Sequence, residues 1–448
     1  MRRGRRTGWA AIAVACGVIA ALVLTGCVGR PGTALGPRFV TPPLIHYTSV
    51  LWPVPLELVG AEPGSRVRLV ASVDSVHGRW SSTVTYTVPA SGTIDLATAR
   101  PQLAAFAEPD SAGLFWSLHG PRLNSSDQFR LWMRTTVAVT IDAYDDARVI
   151  ASRVFLLDGL GTETRPVTVF SSELDAAAER GGDTQPPLGL PDPPPPDTQA
   201  NGPVGVFYSA RSIERPRVPA VILFDDPAEG ASADFVAPLL AQFSASVFVL
   251  PVTRDSDAVH SASAIDSTTL TAVLDWLAER PDVNARNIFV YGTSQSEQLA
   301  LWAATRFAGR VRGVFAAGGA TTLLCLPGGL VSPAFENGIG MPCQRNPDQI
   351  NDFTVVALDT VPGSVVLGCA GRDEVLANSC LWLDAAVRGR GTRAGDVIVR
   401  APDAVHAMTV PPGLPIALPD GAAAQATEKA RVAFWDAVGG VLLRAAQQ

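Results

Sequence analysis

Residues 287–307 read N-I-F-V-Y-G-T-S-Q-S-E-Q-L-A-L-W-A-A-T-R-F, and the change of period inside them decides the fold. Ile288, Phe289, Val290 and Tyr291 form a short continuous apolar run, the pattern of a strand buried on both faces, and Gly292 ends it. From Glu297 onward Leu299, Trp302, Ala303 and Phe307 recur at helical spacing, so Ser294 stands where a central strand turns sharply into a helix. Such a turn is a nucleophile elbow. It lifts the serine hydroxyl to the top of the sheet, and the following helix offers its positive dipole end and the amide of Gln295 to a developing oxyanion. The pattern Gly292-Thr293-Ser294-Gln295-Ser296 is G-x-S-x-G with serine in place of the second glycine, a side chain small enough to keep strand and helix close. The same five residues also fit a serine N-cap on an ordinary helix, so the rest of the chain must decide.

Working outward, residues 204–208, 220–224, 246–250, 311–316, 364–367 and 396–400 read as strands. Helical patterns lie between and after them at 235–243, at 268–280 with Leu270, Val273, Leu274 and Leu277 on one face, and at 427–445. Strands alternating with helices make 204–448 an α/β domain with a mostly parallel sheet, whose ligands bind beyond the carboxyl ends of the strands. Upstream, 45–170 carries short β-type runs at 56–59, 66–73, 83–88, 135–142 and 149–156 with almost no helical period, which predicts a β-sandwich. Its aromatic segment Gly113-Leu114-Phe115-Trp116-Ser117-Leu118 reads as core packing or a strand edge. Residues 171–203, with Pro186, Pro187, Pro191 and the run from Pro193 to Pro196, read as a semi-rigid linker.

The first residues stand apart from this. Arg2, Arg3, Arg5 and Arg6 precede an apolar run from Trp9 to Leu24, and Leu24-Thr25-Gly26-Cys27 resembles a bacterial lipobox. That resemblance implies a signal peptide over 1–26, a lipid on Cys27, a tether over 27–44, and a mature protein anchored to the outside of the cell membrane. Removing four arginines and no acid takes the formal charge from −7 to −11, which argues against nucleic acid as a partner. Of the six cysteines, Cys325, Cys343, Cys369 and Cys380 then remain. An even set in an exported chain predicts two disulfides, and nearest-neighbour pairing would close two short loops. No cysteine or histidine spacing fits a zinc site, and neither metal nor cofactor is expected.

A serine hydroxyl needs a base and an orienting acid. In the α/β-hydrolase order both follow the serine, and His406 is the one histidine after Ser294. For the acid, the strand at 364–367 runs into Gly371-Arg372-Asp373-Glu374. Asp373 is the choice, with Glu374 and Asp403 as rivals; a Cys369–Cys380 bond would pin the Asp373 loop at both ends. Residues 321–353 form a loop-rich insertion, either a lid over an acyl pocket or a disulfide-stapled surface loop.

Taken together the residues resemble the bile acid-CoA:amino acid N-acyltransferase and acyl-CoA thioester hydrolase family. The resemblance rests on Trp80-Ser81-Ser82, Gly92-Thr93-Ile94-Asp95-Leu96, the Gly113–Leu118 segment, Val218-Pro219-Ala220-Val221-Ile222-Leu223-Phe224, the elbow with Glu297 and Leu299-Ala300-Leu301, Gly371 to Asp373, and His406 followed by Pro411-Pro412. It implies Ser294 as nucleophile, Asp373 as acid, His406 as base, and an acyl thioester as substrate, while the expected location outside the membrane points to a lipid ester instead. Conjugating members of that family tend to use cysteine, so the serine points to hydrolysis; transfer to an amine or alcohol and an inactive lipid-binding envelope protein are the alternatives. The oxyanion donors would be the amides of Gln295 and Asp225. Three features depart from the family: Asp225-Asp226-Pro227-Ala228-Glu229-Gly230 stands where it has a glycine-rich run, Gln295 and Ser296 replace lysine and glycine, and acyl-CoA is a cytosolic metabolite that an exported lipoprotein would rarely meet.

Overall fold

The computed structural model describes residues 36–41, 47–49, 55–124, 127–128, 131–132, 136–158, 166–181, 202–210, 216–225, 233–252, 264–326, 331–351, 353–391, 393–415, 418 and 421–448. The signal segment, Cys27, most of the tether, the prolines from 186 to 196 and Asp226 lie outside them.

The fold is that of an α/β hydrolase preceded by antiparallel sheets. An eight-stranded sheet runs in the order Val397–Ala401, Val365–Ala370, Val311–Ala317, Val283–Thr293, Val218–Asp225, Ser246–Pro251, Pro203–Tyr208, Pro166–Phe170. The first six strands are parallel to their neighbours and the last two pair antiparallel. Both faces of the parallel part are covered, which is why its strands read as unbroken apolar runs. Ala220, Ile222, Ile288, Val290 and Val314 face a core shared with the helices Ser267–Glu279, Glu297–Arg306 and Ser379–Arg390. On the opposite face Val221, Leu223, Phe289, Tyr291 and Phe315 pack with the helices Ala233–Gln242 and Ala422–Ala445.

Ahead of this sheet, Tyr47–Ser49, Arg148–Asp158, Thr136–Asp145, Arg66–Ser75 and Gly78–Thr87 form a five-stranded sheet, with Arg38–Val40, Glu57–Val59 and Thr93–Asp95 in a three-stranded one. Period-2 alternation places Val67, Leu69, Ala71 and Val73 on the buried face. Gly113–Trp116 is a short buried helix; a Cβ on Gly113 would lie 2.2 Å from the Phe106 ring, so glycine is what lets this turn reach the core.

Two expected boundaries lie elsewhere in the structure. The strand Pro166–Phe170, assigned from sequence to the β-sandwich, extends the large sheet beside Pro203–Tyr208. The first third of the expected linker is the helix Ser171–Gly181, because the prolines begin only at 186 and the Ser-Ser-Glu-Leu-Asp-Ala-Ala-Ala stretch before them favours helix. Glu173 caps that helix by accepting from the Phe170 amide at 2.9 Å, and Leu174 and Ala177 anchor it on the core.

The parallel strands bring their carboxyl ends to one edge of the sheet. Thr293, Ala317, Ala370 and Ala401 end there, and each leads into a turn that supplies part of the site.

Candidate active site

The strand Val283–Thr293 ends beside Ser294, and Ser294–Ser296 form a single 3₁₀ turn before the helix Glu297–Arg306. Ser294 sits at φ +54°, in the left-handed region that non-glycine residues rarely enter, which is the backbone form a sharp elbow requires. What holds the elbow is Ser296. Its hydroxyl accepts from the Thr293 amide at 3.0 Å and donates to the Thr293 carbonyl at 2.9 Å. The serine in the second glycine position therefore ties the turn shut, beyond merely being small. The glycine that the close approach needs is Gly292, where a Cβ would stand 2.3 Å from the Ser296 carbonyl oxygen.

His406 Nε2 lies 2.9 Å from Ser294 Oγ, and His406 Nδ1 lies 2.9 Å from each carboxylate oxygen of Asp373. An ionised carboxylate only accepts, so Nδ1 carries the proton toward Asp373 and Nε2 is left to accept the serine hydroxyl. Asp373 is buried and oriented by the Val375 and Leu376 amides, which donate to its Oδ1 at 3.0 and 2.8 Å. The acid and histidine turns are zipped together: Gly371 donates to Ala401 and Arg372 to Ala404, and Gly371 approaches Pro402 so closely that a Cβ would lie 2.4 Å from its carbonyl oxygen. Of the rival acids, Glu374 accepts the backbone amide of His406 at 3.1 Å, and Asp403 is exposed.

The cysteines pair as Cys325–Cys343 and Cys369–Cys380, with Cα–Cα distances of 5.0 Å in both. The second bond joins the strand before Asp373 to the helix after it. The first staples the insertion, whose Leu324, Cys325, Leu326 and Pro347 face Ser294 across a cavity of about 210 Å³; Gln295, Gln298, Val375 and Leu376 complete much of its wall. Asp225 ends the strand beside Val283–Thr293 and its carbonyl accepts from Val252, but it does not line that cavity.

Three further groups support the site without an assigned role in the sequence reading. Glu297, 1% exposed, accepts the Gly319 amide just behind Ser294. Arg431, fully buried in the helix Ala422–Ala445, donates to the carbonyls of Ala407 at 2.8 Å and Leu414 at 3.2 Å and pairs with Glu428, holding the segment that carries His406. Thr427 accepts the Val405 amide at 3.1 Å. The available signal was charge on the apolar face of an amphipathic helix, since Arg431 lies one turn after Glu428.

Residues 52–156 match the family described as the acyl-CoA thioester hydrolase/BAAT N-terminal region, the family the sequence resembles. No curated protein matches the chain. Among solved structures the chain is similar to an esterase from Pyrobaculum calidifontis, with 18% identity, 55% of this chain and 83% of that one covered, and a TM-score of 0.36. It is also similar to carboxyl esterase 2 from the mycorrhizal fungus Tuber melanosporum, at 15% identity, 64% and 89% coverage and a TM-score of 0.37. A bacterial heroin esterase is a third, at 14% identity, 53% and 79% coverage and a TM-score of 0.35.

Proposed function

We propose that the chain is a serine acyl hydrolase that cleaves an acyl ester or thioester through an acyl-enzyme on Ser294. The observation that carries this reading is the unbroken pair of hydrogen bonds from Ser294 Oγ through His406 to Asp373, on an elbow whose backbone is held in the left-handed region. His406 Nε2 takes the hydroxyl proton as Ser294 attacks the acyl carbonyl, and Asp373 steadies the imidazolium that results. The amide of Gln295, at the positive end of the elbow helix, meets the oxyanion. His406 then protonates the leaving alkoxide or thiolate, and water activated by the same histidine frees the acid.

The cavity of about 210 Å³ beside Ser294, open to solvent on one side and walled by Leu324, Leu326, Val375 and Leu376, supports an acyl group as the part of the substrate held there. The lipobox-like segment places the site outside the cytoplasmic membrane in this reading, where an envelope ester or thioester is a more accessible substrate than acyl-CoA.

The test is labelling of the purified mature chain with a fluorophosphonate probe beside a Ser294→Ala control. Labelling that disappears in the variant is the expected result, and p-nitrophenyl esters and the corresponding thioesters would then rank the leaving groups. A folded sample that fails to label, or a variant that labels equally fast, overturns the proposal.

A further inference from the structure

Glu297 is the first residue of the elbow helix, and its carboxyl lies inside the protein rather than at the surface where such residues usually cap a helix. It accepts the amide of Gly319, on the turn that follows the neighbouring strand. That turn packs against the backbone of Ser294 and leads toward His406. A Cβ on Gly319 would lie 2.2 Å from the Ser294 carbonyl oxygen and 3.0 Å from Glu297 Oε2, and a Cβ on Gly318 would lie 3.6 Å from His406 Cε1. Gly318 itself adopts φ +74° and donates to Gly368 at 3.0 Å. Glu297 and Gly319 therefore pack directly behind Ser294, and Gly318 carries the same turn toward Thr409 and His406.

The titratable groups that face Glu297 are Asp373, whose negative charge acts on it through the site, and His406 on the far side of the two glycines. Among the described residues no lysine or arginine pairs with it. A charge at this position would stand in the same helical turn as the Gln295 amide and oppose the oxyanion that the amide is there to meet.

We propose that Glu297 is a positioning residue that works as the uncharged acid: it braces Gly319 so that Ser294 and His406 stay in register, and its ionisation weakens the site from the alkaline side. Burial, more than the nearby Asp373 charge, pushes its carboxyl up to about 8, with the Gly319 amide opposing, so the group is neutral at pH 7 and ionises above it. The inference rests on Ser294 being the reacting group.

The experiment compares fluorophosphonate labelling rates of the wild type, Glu297→Gln and Glu297→Ala from about pH 5 to pH 10, corrected for probe hydrolysis, with melting curves run alongside. In the wild type the rate should pass through a maximum and fall about tenfold on the alkaline side, the size of effect expected from an unneutralised charge beside an oxyanion donor. Glutamine keeps a carbonyl acceptor for Gly319 and cannot ionise, so its profile should lose the alkaline fall whatever its rate at the optimum. Alanine removes the brace, and its rate should lie about tenfold below that of glutamine across the range, because a misplaced base loses its effective concentration. An alkaline fall retained in Glu297→Gln, or absent from the wild type, overturns the ionisation step. Alanine labelling as fast as glutamine overturns the brace. If the alanine variant does not fold, the glutamine profile still decides. A wild type that does not label at any pH is a different result: it sinks the hydrolase reading itself.

Discussion

Replacing Ser296 by alanine removes one oxygen and two hydrogen bonds, and the elbow is built so that both matter. The hydroxyl is buried and serves the amide and the carbonyl of one residue, Thr293, the last of the strand that leads into Ser294. At about 1 kcal/mol for each bond the substitution should destabilise the protein by about 2 kcal/mol. For a domain of this size that lowers the melting temperature by roughly 4–8 °C. Ser296→Gly restores the second glycine of the G-x-S-x-G pattern, loses the same bonds, and costs about a further 0.5–1 kcal/mol through the freedom it gives the unfolded chain. The expected order of stability is therefore serine, alanine, glycine. Because Ser294 is held at φ +54° by the turn those bonds close, the labelling rate should fall in the same order, by about three- to tenfold. The assay is a melt followed by near-ultraviolet circular dichroism together with fluorophosphonate labelling at one pH. A glycine variant that melts higher or labels faster than the wild type would refute the reasoning, since it would mean that the position asks only for a small residue.

Three further predictions rest on separate parts of the structure. Cys369→Ser with Cys380→Ser opens a loop of 11 residues and should cost about 2–3 kcal/mol; labelling should fall further than in the Cys325→Ser, Cys343→Ser protein, because only the first pair brackets Asp373. Arg431→Met should cost about 3–5 kcal/mol in denaturant unfolding, since Glu428 is left buried without its cation and the carbonyls of Ala407 and Leu414 lose a donor; adding Glu428→Gln should recover part of that loss. The third concerns pH. Glu297 is held up to about 8 in the folded state against an ordinary 4.5, so the folded state binds its proton more tightly than the unfolded chain does. Its contribution to stability is fully present below pH 4.5 and is lost as pH rises through 8. At about 1.4 kcal/mol per pH unit the loss between pH 5 and pH 8 is on the order of 4 kcal/mol, and Glu297→Gln should flatten that part of the stability curve. An unchanged slope in the variant would remove Glu297 as its source.

The sequence was most legible where local pattern and tertiary role coincide. The run from Ile288 to Tyr291 could be read as a doubly covered strand because both faces are in fact covered, and His406 could be singled out because no other histidine follows Ser294. Asp373 was less determined: it was one of three acids near the right strand end, and only the fold separates it from Glu374, which takes a backbone amide, and Asp403, which faces solvent. The strand Pro166–Phe170 was misplaced because a short edge strand looks the same whichever sheet it joins. The helix Ser379–Arg390 went unread because its apolar residues run almost consecutively from Cys380 to Val387, broken only by Asp384, which hides a helical period, and Gly389 stands near its end. Ser296, Glu297 and Arg431 escaped for a common reason. Their types usually sit in water, and nothing local to them reports that they are buried.

Those buried polar groups also bear on what the antiparallel domain contributes. The helix Ala422–Ala445 holds the histidine segment through Thr427 and Arg431, and near its start Gln425 accepts the amide of Ala107 from the N-terminal domain at 3.0 Å. On that N-terminal side Asp110 accepts the Trp116 indole at 2.8 Å, and its charge reaches Glu428. The apolar packing follows the same route: Leu114, Phe115 and Trp116 share one continuous core with Phe434, Trp435 and Tyr291, the last of these on the strand that leads into Ser294. The helix is bonded to the N-terminal domain on its first turn and to the His406 segment on the next two, accepting through Thr427 and donating through Arg431, and close packing on both sides holds the short stretch between these bonds. The N-terminal domain thus bears on the site from behind, by packing on the helix that holds the His406 segment, and the division between the domains that composition marks in the sequence is not a division in the core.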